Sequence, residues 1–419
     1  MDAFNRREGE LHVEGVAVEA IVSEVGTPCF VYSLAALRDR YSRYVEGFGS
    51  QRHLVCYSVK ANSNLAVLRA LANEGSGFDV VSGGELTRVL AAGGDAGKVV
   101  FSGVGKQEWE IRAALDAGIL LFNVESSAEL DLIDRVAREN GVRAPVALRV
   151  NPDVDARTHP YISTGLKSSK FGLPIEGCLE HYGRAHDMEG LKVMGVDCHI
   201  GSQLTSAEPV AEAARRMAGL VDRLGEAGIT VEYLDMGGGL GVVYDDETPP
   251  QPEAYAGALV EALGERALTL IVEPGRSIAA NAGALVTRVL FHKVNGDKRF
   301  IVVDAAMNDL ARPSLYSAYH TIEAVSPCQE TTIADVVGPV CESGDFFARE
   351  REVPEVAPGG LLSIMSAGAY GYVMASNYNS RPRPAEVLVD GERWDVVGKR
   401  ETLESLFAGE SIPPALLES

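Results

Sequence analysis

A chain of 419 residues with 46% hydrophobic and 23% charged side chains is long enough for two or three domains and has the composition of a folded protein, which excludes disorder and fibrous repeats. Its 38 basic against 59 acidic side chains leave a net charge of -21, which argues against nucleic-acid or anionic-membrane binding, since both need surplus Lys and Arg to neutralise phosphate. The six cysteines form no C-x-x-C pair, Met1 to Gly15 lacks the apolar core of a signal peptide, and no apolar run nears the ~18 residues that cross a bilayer, so a soluble cytoplasmic protein without disulfide scaffold or metal site is expected.

In chain order, the run from Leu11 to Phe30, with Pro28 ending a helix-like stretch, comes first and could contribute a strand to a later unit. Short apolar or β-branched runs then alternate with amphipathic helical stretches. The strands are His53 to Val59, Phe78 to Ser82, Val99 to Ser102, Ile119 to Val124, Val146 to Val150, Val193 to His199, Val231 to Met236 and Leu268 to Glu273. Between the last-but-two and last-but-one of them, Val210, Ala213, Ala214, Met217, Leu220, Val221 and Leu224 recur at three- and four-residue steps, one helical face. Eight βα units predict a (β/α)8 barrel over 34–283. From Ala284 the pattern becomes strands without helices (Ala284 to Lys293, Arg299 to Asp304, Thr332 to Gly338, Leu361 to Met365, Glu386 to Val389), which predicts a β-sandwich or β-barrel domain formed by 1–33 and 284–419. A last helix-like stretch runs from Glu401 to Phe407.

Active sites of such barrels form at the C-terminal ends of the strands, so reactive residues there carry the functional reading. Lys60 follows the first strand; alone it reads as a solvated strand end or as a buried amine suited to a Schiff base. His199 ends the sixth and reads as a core histidine or as a support for a flat ring. Four glycines in Gly237-Gly238-Gly239-Leu240-Gly241 exceed what a turn requires and suit a backbone phosphate cup, although neither nucleotide-binding fingerprint fits. Glu273-Pro274-Gly275-Arg276 ends the eighth strand, as a surface ion pair or as a carboxylate and guanidinium aimed into the barrel mouth. Together these residues match what pyridoxal phosphate needs: an amine, a phosphate cup, a ring support and an acid for the pyridine nitrogen.

On these residues the chain resembles the alanine-racemase-type (fold type III) family of pyridoxal-phosphate enzymes, and within it the diaminopimelate decarboxylase family. The resemblance runs over nearly the whole chain and rests on Tyr57 to Asn62, His199 to Gln203, Gly237 to Gly241, Glu273 to Arg276, Arg312-Pro313-Ser314-Leu315-Tyr316, Gly338-Pro339-Val340-Cys341-Glu342-Ser343-Gly344-Asp345 and Gly368-Ala369-Tyr370-Gly371. It implies that Lys60 carries the cofactor, His199 stacks on its ring and Glu273 pairs with its nitrogen. The backbone of Gly239, Gly241, Gly275 and Arg276, with Ser202 and Tyr370, would hold the phosphate; Arg276, Arg312, Tyr316 and Tyr370 the substrate, with the first three at its distal carboxylate; and Glu342 its distal ammonium. Cys341 would return a proton to the α-carbon, entering with Glu342 the site of a partner subunit in a homodimer. The implied reaction is decarboxylation of meso-diaminopimelate at its D-centre to L-lysine and carbon dioxide, the last step of lysine biosynthesis. Alternatives are a decarboxylase of ornithine, arginine or a carboxylated polyamine, a racemase, and a non-catalytic pyridoxal-phosphate carrier. Asp79 and Glu85 are expected to support Lys60 or the ring, a helix N-terminal acid explaining Glu85 equally well, Asp304, Asn308 and Asp309 to shape the loop bearing Arg312, and His159, His292 and His320 to be surface or structural residues.

Overall fold

The computed structural model describes residues 3–154 and 170–417, so His159 lies outside the described residues. It divides into one unit spanning Ala36–Ala280 and a second formed by the residues up to Ala35 together with those from Asn281.

The first unit is the eight-stranded parallel barrel. His53–Ser58, Gly77–Val80, Val99–Phe101, Leu121–Val124, Ala144–Asn151, Leu191–Asp197, Tyr233–Asp235 and Thr269–Val272 pair in chain order. The ring closes where the last strand meets the first, Leu270 opposite His53. Strands such as Val99–Phe101 and Leu121–Val124 are buried at every position, which is why they read as continuous apolar runs without alternation. Cys56, Val100, Leu121, Ala147, Met194 and Ile271 pack together inside the ring. Helix starts are set locally: Ser82 and Ser126 accept hydrogen bonds from the N–H groups of Glu85 and Glu129, so Gly83–Ala91 and Ser127–Glu139 begin directly after the second and fourth strands. The long helix Glu208–Glu226 buries Val210, Ala213, Ala214, Met217, Leu220 and Leu224, while Val221 is only half-buried at the edge of that face.

In the second unit, Cys29–Ser33 lies between Gly283–Asn295, to which it is antiparallel, and Ala385–Asp390, to which it is parallel. Both chain ends thus build one sheet. Gly283–Asn295 continues through a tight turn into Lys298–Val303, followed across the sheet by Thr331–Val337 and Phe346–Pro354. Leu361–Ile364 pairs with both Gly283–Asn295 and Ile322–Ala324. Val18, Ile21, Val31, Val286, Val387 and Val389 belong to its core. A three-stranded sheet, Phe4–Arg7, Glu10–Val13 and Val16–Ala17, precedes the helix Val18–Val25. Three further strands depart from the expected set. Ile322–Ala324 is too short to show a period, and Phe346–Pro354 and Arg393–Gly398 carry charged, exposed positions instead of clean alternation. The helix-like Glu401–Phe407 reduces to the single 3-10 turn Glu404–Phe407, whose four residues are largely exposed. Among the described residues, no helix is long and apolar enough to cross a membrane.

Candidate active site

The first barrel strand runs straight into the 3-10 turn Val59–Ala61, which carries Lys60. Lys60 Nζ donates to Asp79 Oδ2 at 2.7 Å, and Ser58 Oγ donates to the same oxygen at 2.6 Å. The lysine side chain is 42% exposed, whereas Asp79 on the second strand is fully buried. Burial pushes the Asp79 carboxyl up, but the Lys60 charge and hydrogen bonds from Lys60 and Ser58 more than offset it and hold Asp79 below its ordinary value. Asp79 is therefore a carboxylate, and Lys60 is held as its counter-ion. Glu85 closes the helix N-terminus beside this pair, accepting from the Val81 N–H at 2.7 Å; desolvation pushes its carboxyl up to about 7.

Three further buried acids, Asp197, Asp235 and Glu273, stand at the ends of the sixth, seventh and eighth strands. Glu273 ends the eighth strand and accepts from Ser102 Oγ and Asn123 Nδ2, both at 3.3 Å. Asn123 Nδ2 also reaches Asp235 Oδ2 at 3.1 Å. Burial, then the Asp235, Asp79 and Asp197 charges, push the Glu273 carboxyl well above its ordinary value, which favours its protonated form. Burial likewise raises Asp235, to about 6, and Asp197 well above its ordinary value. Arg149 on the fifth strand pairs with Glu125 at 2.8 Å, both side chains nearly sealed from solvent.

His199 is fixed as a neutral imidazole. The Gly238 N–H donates to its Nδ1 at 3.1 Å, leaving the proton on Nε2, and desolvation followed by the Arg149 and Lys60 charges brings its pKa down to about 3. The glycine run is explained by close approach. A Cβ on Gly238 would stand 2.3 Å from Glu273 O, and on Gly239, whose φ is +123°, 2.5 Å from Gly201 O. The loops after the sixth, seventh and eighth strands therefore pack backbone to backbone, with Leu204 N–H on Gly239 O and Gly241 N–H on Leu204 O. The Gly241 N–H is thus already committed within the barrel. Glu273 and Arg276 form no surface ion pair: both are buried, and Arg276 donates to Tyr244 Oη at 2.8 Å and to Ser202 Oγ at 3.1 Å.

The second unit gathers the remaining candidates. Arg312 and Tyr316 lie on the short helix Arg312–Tyr316, with Arg312 buried and Tyr316 half-buried. Ser314 Oγ donates to Gly344 O, tying this helix to the loop that bears Cys341 and Glu342. That loop is folded around Asp345, which accepts from the Val340 and Met307 N–H groups at 2.7 Å each, and a Cβ on Gly338 would meet Asp345 Oδ2 at 2.5 Å. Cys341 and Glu342 are exposed, the Cys341 N–H donating to Asn379 Oδ1 at 2.9 Å. Tyr370 adopts φ +55° on the loop after Leu361–Ile364. Asp309 accepts from the Ala306 N–H and from Asn308 Nδ2, and Thr287 and Thr27 bond Asp304, which shapes the segment ahead of Arg312. His320 is buried, with Nδ1 2.8 Å from Met365 O, and His292 lies at the surface, 2.9 Å from Val356 O.

Residues 34–280 match the model of the pyridoxal-dependent decarboxylases, pyridoxal binding domain. The chain belongs to this family. It is 56% identical over 415 residues to diaminopimelate decarboxylase of Pseudomonas aeruginosa, covering 99% of this chain and 100% of that one, and 54% identical over 401 residues to that of Neisseria meningitidis, covering 96% and 97%. Among solved structures, diaminopimelate decarboxylase from M. jannaschii in co-complex with L-lysine superposes with a TM-score of 0.95 at 40% identity, covering 99% of both chains. The Helicobacter pylori enzyme complexed with L-lysine has a TM-score of 0.90 at 44% identity, covering 93% and 98%.

Pyridoxal phosphate is the cofactor of this decarboxylase family, and the barrel residues fit it. Asp79 Oδ1, Asn123 Oδ1, Asp197 Oδ1 and Arg149 Nε, on the second, fourth, sixth and fifth barrel strands, are buried without hydrogen-bond partners. Such groups are costly unless something polar meets them. Sequence reading missed Ser102, Asn123, Arg149, Asp197, Asp235 and Tyr244. Asn123, Arg149, Asp197 and Asp235 each interrupt an apolar strand, and that is the signal that could have found them.

Proposed function

We propose that the protein decarboxylates meso-diaminopimelate at its D-centre, yielding L-lysine and carbon dioxide in the last step of lysine biosynthesis. The observation that carries the reaction type is the Lys60–Asp79 ion pair together with the buried, upward-shifted Glu273 carboxyl at the ends of the first, second and eighth barrel strands. Bound there, pyridoxal phosphate supplies an electron sink for the pair released when carbon dioxide leaves. Lys60 offers the amine that holds the cofactor, and Asp79 keeps that amine charged until the proton is passed on. Glu273 brings its proton to the pyridine nitrogen, Ser102 and Asn123 fixing the carboxyl in place. His199, neutral and anchored by Gly238, supports the ring without adding a charge. Gly239, Gly275, Arg276, Ser202 and Tyr370 hold the phosphate; Gly241 serves by close packing, its N–H being engaged by Leu204.

Arg276, Arg312, Tyr316 and Tyr370 bind the substrate, the first three at the distal carboxylate, and Glu342 takes the distal ammonium. A distal centre with both signs suits diaminopimelate and not ornithine or arginine, and the full-length likeness to diaminopimelate decarboxylases supports this choice. Cys341 returns the proton to the α-carbon. Its exposure, and that of Glu342, supports a homodimer in which both enter the partner's site. The barrel domain, 34–283, binds the cofactor, and the domain of 1–33 and 284–419 contributes substrate and dimer contacts. Purified protein with added cofactor should release carbon dioxide and form lysine from meso-diaminopimelate. Release from ornithine or arginine but not from diaminopimelate would overturn the substrate.

A further inference from the structure

The buried side of Arg312 rests on a histidine that sequence reading set aside. Arg312 Nη1 lies 3.0 Å from His320 Nε2, and His320 Nδ1 lies 2.8 Å from Met365 O. A guanidinium can only donate and a carbonyl can only accept, so the two contacts together leave one arrangement: the proton sits on Nδ1, Nε2 is the acceptor, and the imidazole is neutral. His320 itself is completely buried, and Arg312 nearly so. The histidine is mounted on rigid backbone. Met365 N–H bonds Thr321 O at 2.8 Å, extending the pairing of Ile322–Ala324 with Leu361–Ile364, and Arg351 donates to His320 O at 2.6 Å while its guanidinium lies 4.0 Å from the centre of the Tyr319 ring. Arg351 stands on Phe346–Pro354, the strand that leaves the Cys341–Asp345 loop, and Ser314 joins the Arg312 helix to that same loop.

We propose that His320 is a positioning residue for substrate recognition, its Nε2 lone pair orienting the Arg312 guanidinium toward the substrate's distal carboxylate. This rests on the reading of Arg312 as the carboxylate ligand. An arginine side chain has many rotamers, and one charge-assisted hydrogen bond to a fixed acceptor selects among them before substrate arrives. The effect belongs in substrate binding and not in the chemical step.

The test compares His320→Asn, His320→Gln and Arg312→Ala in the cofactor-loaded enzyme. Asn can keep a donor near the Nδ1 position for Met365 O but has no acceptor at the Nε2 position; Gln restores an acceptor there. The expected result is that His320→Asn raises KM for meso-diaminopimelate about tenfold with kcat within about threefold, while His320→Gln returns KM to within about threefold of the parent. Cofactor absorbance and thermal midpoint, measured on every variant, report folding separately. If Asn and Gln change KM equally, or lower kcat at constant KM, His320 is a packing residue and the proposal is wrong even if Arg312→Ala raises KM. If Arg312→Ala leaves KM unchanged, the carboxylate assignment fails and the proposal with it.

Discussion

At the scale of single residues, the mouth of the barrel is an exercise in setting protonation by surroundings. Asp79 and Glu273 are both buried carboxyls, yet the first is held below its ordinary value by Lys60 and Ser58 and the second is pushed well above it by burial and three neighbouring aspartates. Lys60→Ala should abolish both the visible absorbance of the purified, cofactor-supplemented protein and its activity. An unchanged spectrum would refute Lys60 as the attachment point. Cys341→Ala should slow turnover by about a hundredfold or more, the usual weight of a positioned proton donor, while leaving that absorbance intact. Equal turnover would remove Cys341 from the mechanism. Lys60, His199 and Glu273 were legible because each follows an apolar strand that ends at the expected face. His320 was not, because its partners Arg312 and Met365 lie 8 and 45 residues away and no local spacing links them.

At the scale of elements, the loop Gly237 to Gly241 shows how one motif can serve two purposes. Its glycines were expected to clear room for a phosphate, but at Gly238 and Gly239 the space of a Cβ is filled by the backbone of the neighbouring loops. Gly238→Ala should therefore destabilise the protein by roughly 1–3 kcal/mol, as overpacking does in other tight interiors. Gly219, inside Glu208–Glu226, has nothing within 4 Å of where a Cβ would stand, so Gly219→Ala should instead stabilise by about 0.5–1 kcal/mol. Urea midpoints of the two variants against the parent check both signs, and a neutral Gly238→Ala would mean that the loops can part without loss.

At the scale of the whole molecule, buried acids make stability depend on pH in an unusual direction. The folded-state carboxyls of Asp235 and Asp309 are raised to about 6 and that of Glu85 to about 7, and those of Glu273 and Asp197 are raised well above their ordinary values. A raised carboxyl stabilises the fold fully below its unfolded value, near 4, and that contribution is lost as pH rises through the folded value. His199 works the other way: with its pKa lowered to about 3, its contribution is present above its unfolded value of 6.5 and lost as pH falls toward 3. Five raised acids outweigh one lowered imidazole, and ionising them adds to a net charge already at -21. Cofactor-free protein should therefore have a higher urea midpoint at pH 5.5 than at pH 7.5. Added cofactor should narrow the difference, because Glu273 then gains a cationic partner. A cofactor-free midpoint that rises with pH would contradict the upward shifts assigned to these acids.

What the sequence by itself determined was periodic or local: eight apolar runs separated by helical faces, a Ser ahead of a helix, a glycine run, and reactive residues just beyond strand ends. Each of these depends on neighbours within a few positions, so chain order is enough to read it. The tertiary structure decided the rest, because it concerns groups far apart in the chain. Only the closed ring brings Asp79, Asn123, Asp235 and Glu273 within one buried volume, where low polarity and mutual repulsion set which carboxyl keeps its proton. Only the sheet built from both chain ends places His320 under Arg312 and ties Ser314 to Gly344. Protonation and side-chain orientation are properties of such surroundings, and no residue carries them alone.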